Sequence, residues 1–114
     1  MQDCIFCRIA RGEIASQRVD ETAHVLAFRD IQPQAPTHVL LIPREHIASS
    51  AAELGATHAA TMAELFELAA RIARREGLEG GWRLVTNVGP DAGQSVPHLH
   101  FHLLGGRPMR WPPG

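Results

Sequence analysis

The stretch Pro97-His98-Leu99-His100-Phe101-His102-Leu103-Leu104 sets three histidines on alternate residues. Successive side chains of a strand point to opposite faces. A strand here therefore stands the imidazoles in one row, roughly 6.5–7 Å apart, with Leu99, Phe101 and Leu103 on the other face. One face is chemical and the other belongs to the core. A lone histidine on an apolar strand is ordinarily a hydrogen-bonded core residue, whereas three at period two need three separate partners. The pattern points to a metal site or to an array of nucleophile and acid/base groups. Imidazole ligates divalent cations, shuttles protons near neutrality and attacks phosphorus or acyl carbon.

Working outward, Pro97 suits the first residue of a strand running from His98 to Leu104. The loop 87–97 precedes it, and Trp82 to Asn87 reads as the strand before that. Thr57 to Glu76 carries Met62, Leu65, Phe66, Ala69, Ile72 and Ala73 at helical spacing, opposite Glu64, Glu67, Arg71 and Arg74, and Gly77 closes it. Leu68, Ala63 and Ala70 fall off that stripe and suit a second packing surface, while Arg71, Arg74 and Arg75 complement the helix dipole. Thr37 to Ile42 is a strand ended by Pro43. Arg18 to Asp20 and Ala23 to Arg29 are two more, joined at Glu21-Thr22. A short helix opens the chain, with Asp3 as N-cap, Ile5, Phe6 and Ile9 on one side and Gly12 as the stop. The expectation is one α+β domain, residues 1–114: a five-stranded antiparallel sheet with one short N-terminal and one long helix packed on one face.

Composition bounds the chemistry. The 114 residues carry a formal net charge of −1 and no basic run longer than Arg74-Arg75, so a nucleic-acid polymer is not the expected partner. All 11 basic residues other than histidine are arginines and there is no tyrosine, which excludes Schiff-base lysines, a P-loop lysine and a tyrosine nucleophile. No leader pattern or long apolar run appears, so a cytoplasmic location without membrane contact is expected.

The loop Gly93-Gln94-Ser95 feeds into the histidine row. Glycine admits a close backbone approach, consecutive amides cradle an anion, and the Ser95 hydroxyl can donate to a phosphate oxygen. Cys4 and Cys7 form a Cys-x-x-Cys pair open to three readings: redox chemistry, half a zinc site, or two small apolar residues. His46 and His98 are suitable further donors for a tetrahedral zinc. His38 opens the third strand on the side of Leu40 and Ile42, as a core histidine or a partner of the triad. His24 and His58 read as surface or capping residues.

These motifs resemble the histidine triad superfamily, in particular its nucleotide-binding Hint branch. The resemblance rests on His98 to Leu104, Asp30-Ile-Gln-Pro-Gln-Ala-Pro-Thr-His38, Ile42-Pro-Arg-Glu-His46, Gly93-Gln-Ser-Val96, Leu104-Gly-Gly-Arg107 and the closing Trp111-Pro-Pro-Gly114. It implies a homodimer that hydrolyses nucleoside phosphoramidates, releasing AMP or GMP from an amine or aminoacyl conjugate through a nucleotidyl-histidine. By the resemblance, His100 is the nucleophile, His102 and Ser95 contact the phosphate, and His38 supports the triad. Gly93 and Gln94 frame the phosphate, Asp30 holds the ribose and Asn87 lies in the site. Phe6, Ile9, Ile14, Phe28 and Ile31 form an apolar slot for the base, and Trp111 of the tail reaches the substrate. Some members hold a structural zinc on residues matching Cys4, Cys7, His46 and His98, and no catalytic cofactor is implied.

Two rivals use the same residues. One is a zinc hydrolase with the whole triad as ligands. A straight strand opposes it by spreading the outer imidazoles over roughly 13 Å against Zn–N distances near 2 Å. The other is a nucleotide-binding regulator or scaffold whose hydrolysis is vestigial.

Overall fold

A computed structural model describes residues 4–114. The strands are β1 (Arg18–Glu21), β2 (Val25–Arg29), β3 (Thr37–Pro43), β4 (Trp82–Val85) and β5 (Phe101–Gly105), and the helices are α1 (Ile5–Ala10) and α2 (Ala59–Arg75). All pairings are antiparallel, in the order β1-β2-β3-β5-β4. The fold is the expected α+β sheet with one long and one short helix.

The helices cover opposite faces of the sheet, a departure from the one-sided packing expected. Val25, Ala27, Val39, Leu41, Leu99, Phe101 and Leu103 pack with Leu65, Leu68, Ala69 and Ile72 of α2. Leu26, Phe28, Leu40 and Ile42 pack with Phe6 and Ile9 of α1. The signal lies in β2 and β3, whose apolar runs lack polar alternation, as strands buried on both faces do.

The α2 stripe is also rotated from expectation. Leu68 is 1% exposed and Phe66 53% exposed, so Leu68 takes the core position assigned to Phe66. Phe66 keeps an edge contact with Phe101, ring centroids 5.7 Å apart. Arg71 and Arg75 both reach Asp20 at 3.0 Å, tying α2 to β1.

The Asp3 cap lies outside the described residues, and the observed N-cap of α1 is Cys4, whose Sγ accepts from Cys7 N. Ile5 is exposed, while Phe6, Cys7 and Ile9 are buried.

β5 begins at Phe101, so only His102 of the triad lies on a strand. Its neighbour β3 ends in Pro43, which has no N–H to extend the ladder. Leu99 N instead donates to Ala48 O, and Thr86 Oγ1 reaches His100 O at 2.8 Å beyond the early end of β4. The face assignment survives the loss of the ladder: Leu99, Phe101 and Leu103 all lie in the α2-side core.

Gly106, at φ +92°, holds a conformation that L side chains rarely adopt, and a Cβ there would stand 2.9 Å from Pro36 Cβ. Gly106 thus lets the end of β5 close onto the proline loop that carries Asp30. No helix among the described residues is long and apolar enough to cross a membrane.

Candidate active site and metal cluster

The α1-side face of the sheet carries the histidine row. Its imidazoles form a chain. His46 packs on His98 with centroids 4.7 Å apart, His100 on His102 at 5.2 Å and His102 on His38 at 5.2 Å. Phe6 of α1 fills the step between His98 and His100, edge-on to both at 5.8 and 4.9 Å.

His98 belongs to a separate cluster. Its Nδ1 lies 3.2 Å from Cys4 Sγ and 3.6 Å from Cys7 Sγ, and His46 Nδ1 lies 3.6 Å from Cys7 Sγ. One donor atom from each of the four residues falls within 4.8 Å of the others. His98 Nε2 sits 2.9 Å from Pro43 O, and a carbonyl only accepts, so the proton is on Nε2 and the Nδ1 lone pair faces the sulfurs. Burial pushes His98 down to about 4, with His46 and His100 adding to the effect against the bond to Pro43, which keeps that lone pair open at neutral pH. Burial and the neighbouring Cys4 raise Cys7, so a bound cation displaces a proton there. Two sulfurs and two imidazole nitrogens at these separations suit a tetrahedral zinc at about 2.3 Å from S and 2.0–2.1 Å from N.

His100 Nδ1 lies 2.7 Å from His98 O, which by the same reasoning leaves the lone pair on Nε2. His102 Nδ1 is 2.9 Å from His38 Nε2, which is 3.4 Å from Asp30 Oδ2. Asp30 Oδ1 is already engaged by Gln32 N at 2.7 Å. Burial pushes His102 down to about 4, helped by His100 and His38 and opposed by Asp30. Burial also lowers His38.

A cleft of about 390 Å³ opens beside this row, lined by Phe6, Ile9, Phe28, Asp30, Ile31 and Leu40 among others. Four of the five slot residues line it, whereas Ile14 packs on the cluster behind. Ile31 is 95% exposed at the rim. Asp30 joins cleft and histidine row, lining the one and lying 3.4 Å from His38 of the other. The sequence reading missed Ile5, Ala15, Ser16, Gln17, Arg29 and Leu40 in the lining. Of these, Leu40 was accessible through period two, being two residues beyond His38 on the same face.

The loop differs from the expected cradle. A 3₁₀ turn at Pro90–Ala92 ends in Gly93 at φ +86°, and Gln94 N donates back to Gly89 O. The Gln94 side chain accepts from Gly89 N and donates to Ser49 O and Val96 O, so Gln94 braces the loop. Ser95 is exposed and Asn87 half-buried. Trp111 is 83% exposed in the single chain, away from the cleft lining.

The triad is therefore divided. Among the described residues, the donor clusters are Cys4, Cys7, His46 and His98 on one side and Asp30, His38 and His102 on the other. Neither holds all three triad histidines. This ligand geometry opposes the triad-zinc hydrolase, with His98 turned to the cysteines and His100 to its own chain.

A HIT domain matches residues 11–109. The chain belongs to the HIT family. It is similar to a 14 kDa zinc-binding protein of Zea mays, 50% identical over 111 residues that cover 96% of this chain and 87% of that protein. The crystal structure of a HIT family hydrolase from Legionella pneumophila superposes with a TM-score of 0.94 at 50% identity, covering 98% of this chain and all of that one. A hypothetical histidine triad nucleotide-binding protein from Sulfolobus tokodaii aligns at 32% identity and a TM-score of 0.78, covering 90% of this chain and 68% of that one.

Proposed function

We propose that this HIT protein is a hydrolase of purine nucleoside phosphoramidates, releasing AMP or GMP from an amine or aminoacyl conjugate. The observation that carries this reading is the environment of His100. Its Nδ1 proton is held by His98 O, which leaves Nε2 as the nitrogen for the lone pair, next to Phe6 of the apolar cleft. The hydrolase and nucleotide-binding descriptions of its relatives support the same class.

The base occupies the cleft between Phe6, Ile9 and Phe28, and Asp30 takes the ribose hydroxyls. His100 Nε2 attacks the α-phosphorus as the bond from phosphorus to the amine breaks. The electron pair leaves with the amine, which takes a proton from water. Water then attacks the phosphorus of the nucleotidyl-His100 adduct, returns the bonding pair to Nε2, and gives up its proton to solvent. Dividing the displacement avoids direct attack by poorly activated water. Ser95 and His102 contact the phosphate oxygens, where fixed donors contribute most to the rate.

We assign zinc to Cys4, Cys7, His46 and His98, where it pins α1 to the segment before β5 and takes no part in the chemistry. The zinc-binding description of the maize relative supports this assignment. The active unit in this reading is a homodimer in the cytoplasm.

The deciding experiment is incubation with an AMP-amine conjugate, acid quenching and mass spectrometry. An adduct of one AMP per chain, mapped to His100, is the expected result. Hydrolysis without any adduct, or an adduct on another residue, overturns the reading.

A further inference from the structure

The proline loop that carries Asp30 also turns a main-chain donor onto the histidine row. Gln34 N donates to His38 Nδ1 at 3.0 Å. A backbone N–H cannot accept, so His38 Nδ1 contributes the lone pair and a neutral His38 carries its proton on Nε2. Burial keeps both His38 and His102 below their ordinary values, so at pH 7 each imidazole has one proton to place. His38 Nε2–H faces His102 Nδ1 at 2.9 Å, with Asp30 Oδ2 at 3.4 Å as its other acceptor. His102 Nδ1 must then accept, which moves the His102 proton to Nε2. His100 is held the opposite way, with its proton on Nδ1 against His98 O.

We propose that the main-chain N–H of Gln34 is a positioning group that sets the polarity of the site: acting through His38, it makes His102 a hydrogen-bond donor through Nε2 beside the lone pair of His100. The two imidazoles, with centroids 5.2 Å apart, thus differ in role because a backbone amide and a backbone carbonyl hold them in different tautomers. His102 donates to the phosphoryl oxygens as charge develops there and transfers no proton. The same N–H decides what the Asp30, His38 and His102 cluster holds. A cation between those three donor atoms needs the His38 Nε2 lone pair, which drives the His38 proton onto Nδ1, against the Gln34 N–H. The cluster therefore holds a proton, whereas the lone pair of His98 faces the cysteines and is open to zinc. No feature of the sequence marks Gln34, since its contribution comes from the main chain.

The inference uses the proposed phosphoramidate chemistry only for what His102 touches, and the tautomers themselves are read on the free protein. Long-range proton–nitrogen correlation spectra of ¹⁵N-histidine-labelled protein at pH 7 should show His38 and His102 protonated at Nε2 and His100 at Nδ1. His102 or His38 protonated at Nδ1 overturns the proposal. Gln34→Ala keeps the N–H and should keep the tautomers. Gln34→Pro removes the N–H and should give mixed tautomers at both residues, with kcat lower by roughly tenfold, the scale of one hydrogen bond, and KM nearly unchanged. Gln34→Pro with wild-type tautomers and kcat counts against it. The expected tautomers in a protein that cleaves no AMP-amine conjugate would support the polarity and overturn the phosphoramidate reading.

Discussion

His98, His100 and His102 are one residue type at one spacing, yet their surroundings separate them. Each ring has one nitrogen fixed by a partner: His98 by Pro43 O, His100 by His98 O and His102 by His38. The free nitrogen then decides the role. Replacing His100 by Ala should lower kcat by at least about a thousandfold, as loss of a nucleophile does, while AMP binding measured by calorimetry stays within a few-fold. His102 supplies a pH test. Its pKa is pushed from 6.5 to about 4 in the folded protein by burial and then by His100 and His38, against Asp30. Between those values the unfolded chain binds more protons than the folded one. Stability attributable to His102 is thus complete above about pH 6.5 and falls as the pH drops toward 4, by on the order of 2 kcal/mol for a ring that still meets solvent. Urea unfolding of wild type and His102→Gln at pH 7 and pH 4.5 checks this. Acid loss at the Cys/His cluster is common to both proteins, so the wild type should lose more stability on acidification. Equal losses contradict the assignment.

Among the elements, α2 and α1 show what a sequence specifies and what it leaves open. The existence and length of α2 were legible from helical spacing, but periodicity leaves the centre of a stripe undetermined to within about one residue, and Leu68 and Phe66 flank it. The sheet that α2 meets makes the choice. Leu68→Ala should destabilise the protein by about 2–5 kcal/mol, and Phe66→Ala, at a half-exposed position, by about 1 kcal/mol or less, read from denaturant midpoints. A larger loss at Phe66 would show that its face is covered by something other than this chain. The unbroken histidine strand failed as an expectation because Pro43 lies on the neighbouring strand, so its missing donor becomes visible only once the register is known. The faces were still legible, since alternation persists in extended backbone without a ladder. The four donors of the Cys/His cluster were likewise legible through the family motifs, though not from spacing alone. Their proposed function is elemental too: α1 has six residues, too few to be stable alone, and it carries Cys7 of the cluster as well as Phe6 and Ile9, which line the cleft. Stripping zinc, or making Cys7→Ser, should remove one metal per chain and lower the melting temperature more than it lowers activity of the protein still folded. Activity lost from a folded apo protein and restored by metal would give zinc a chemical role.

Over the whole molecule, the single chain leaves apolar area uncovered: Trp82 on the edge strand β4, Phe66 on α2, and Trp111 in the tail. The tail 107–114 has too many prolines to continue β5. It is held through Arg83 reaching Arg110 O at 2.9 Å and Arg107 reaching Gln34 O at 3.1 Å, so its root touches the loop that orders His38. An exposed tryptophan on a braced segment fits a surface that meets a second copy of the chain, which is the homodimer of the proposed function. The resemblance to the Hint branch implies that in such a dimer the tail lies close to the partner's site, and we propose that it meets the leaving amine there and not the base. Deleting residues 108–114 should therefore change the relative kcat/KM among several AMP-amine conjugates by about tenfold, while AMP affinity shifts less than about threefold. Light scattering and rate ratios on the same preparations separate the possibilities. A truncated protein that stays dimeric with unchanged ratios removes the tail from substrate selection. A protein monomeric at every concentration, with or without the tail, removes the dimer as well.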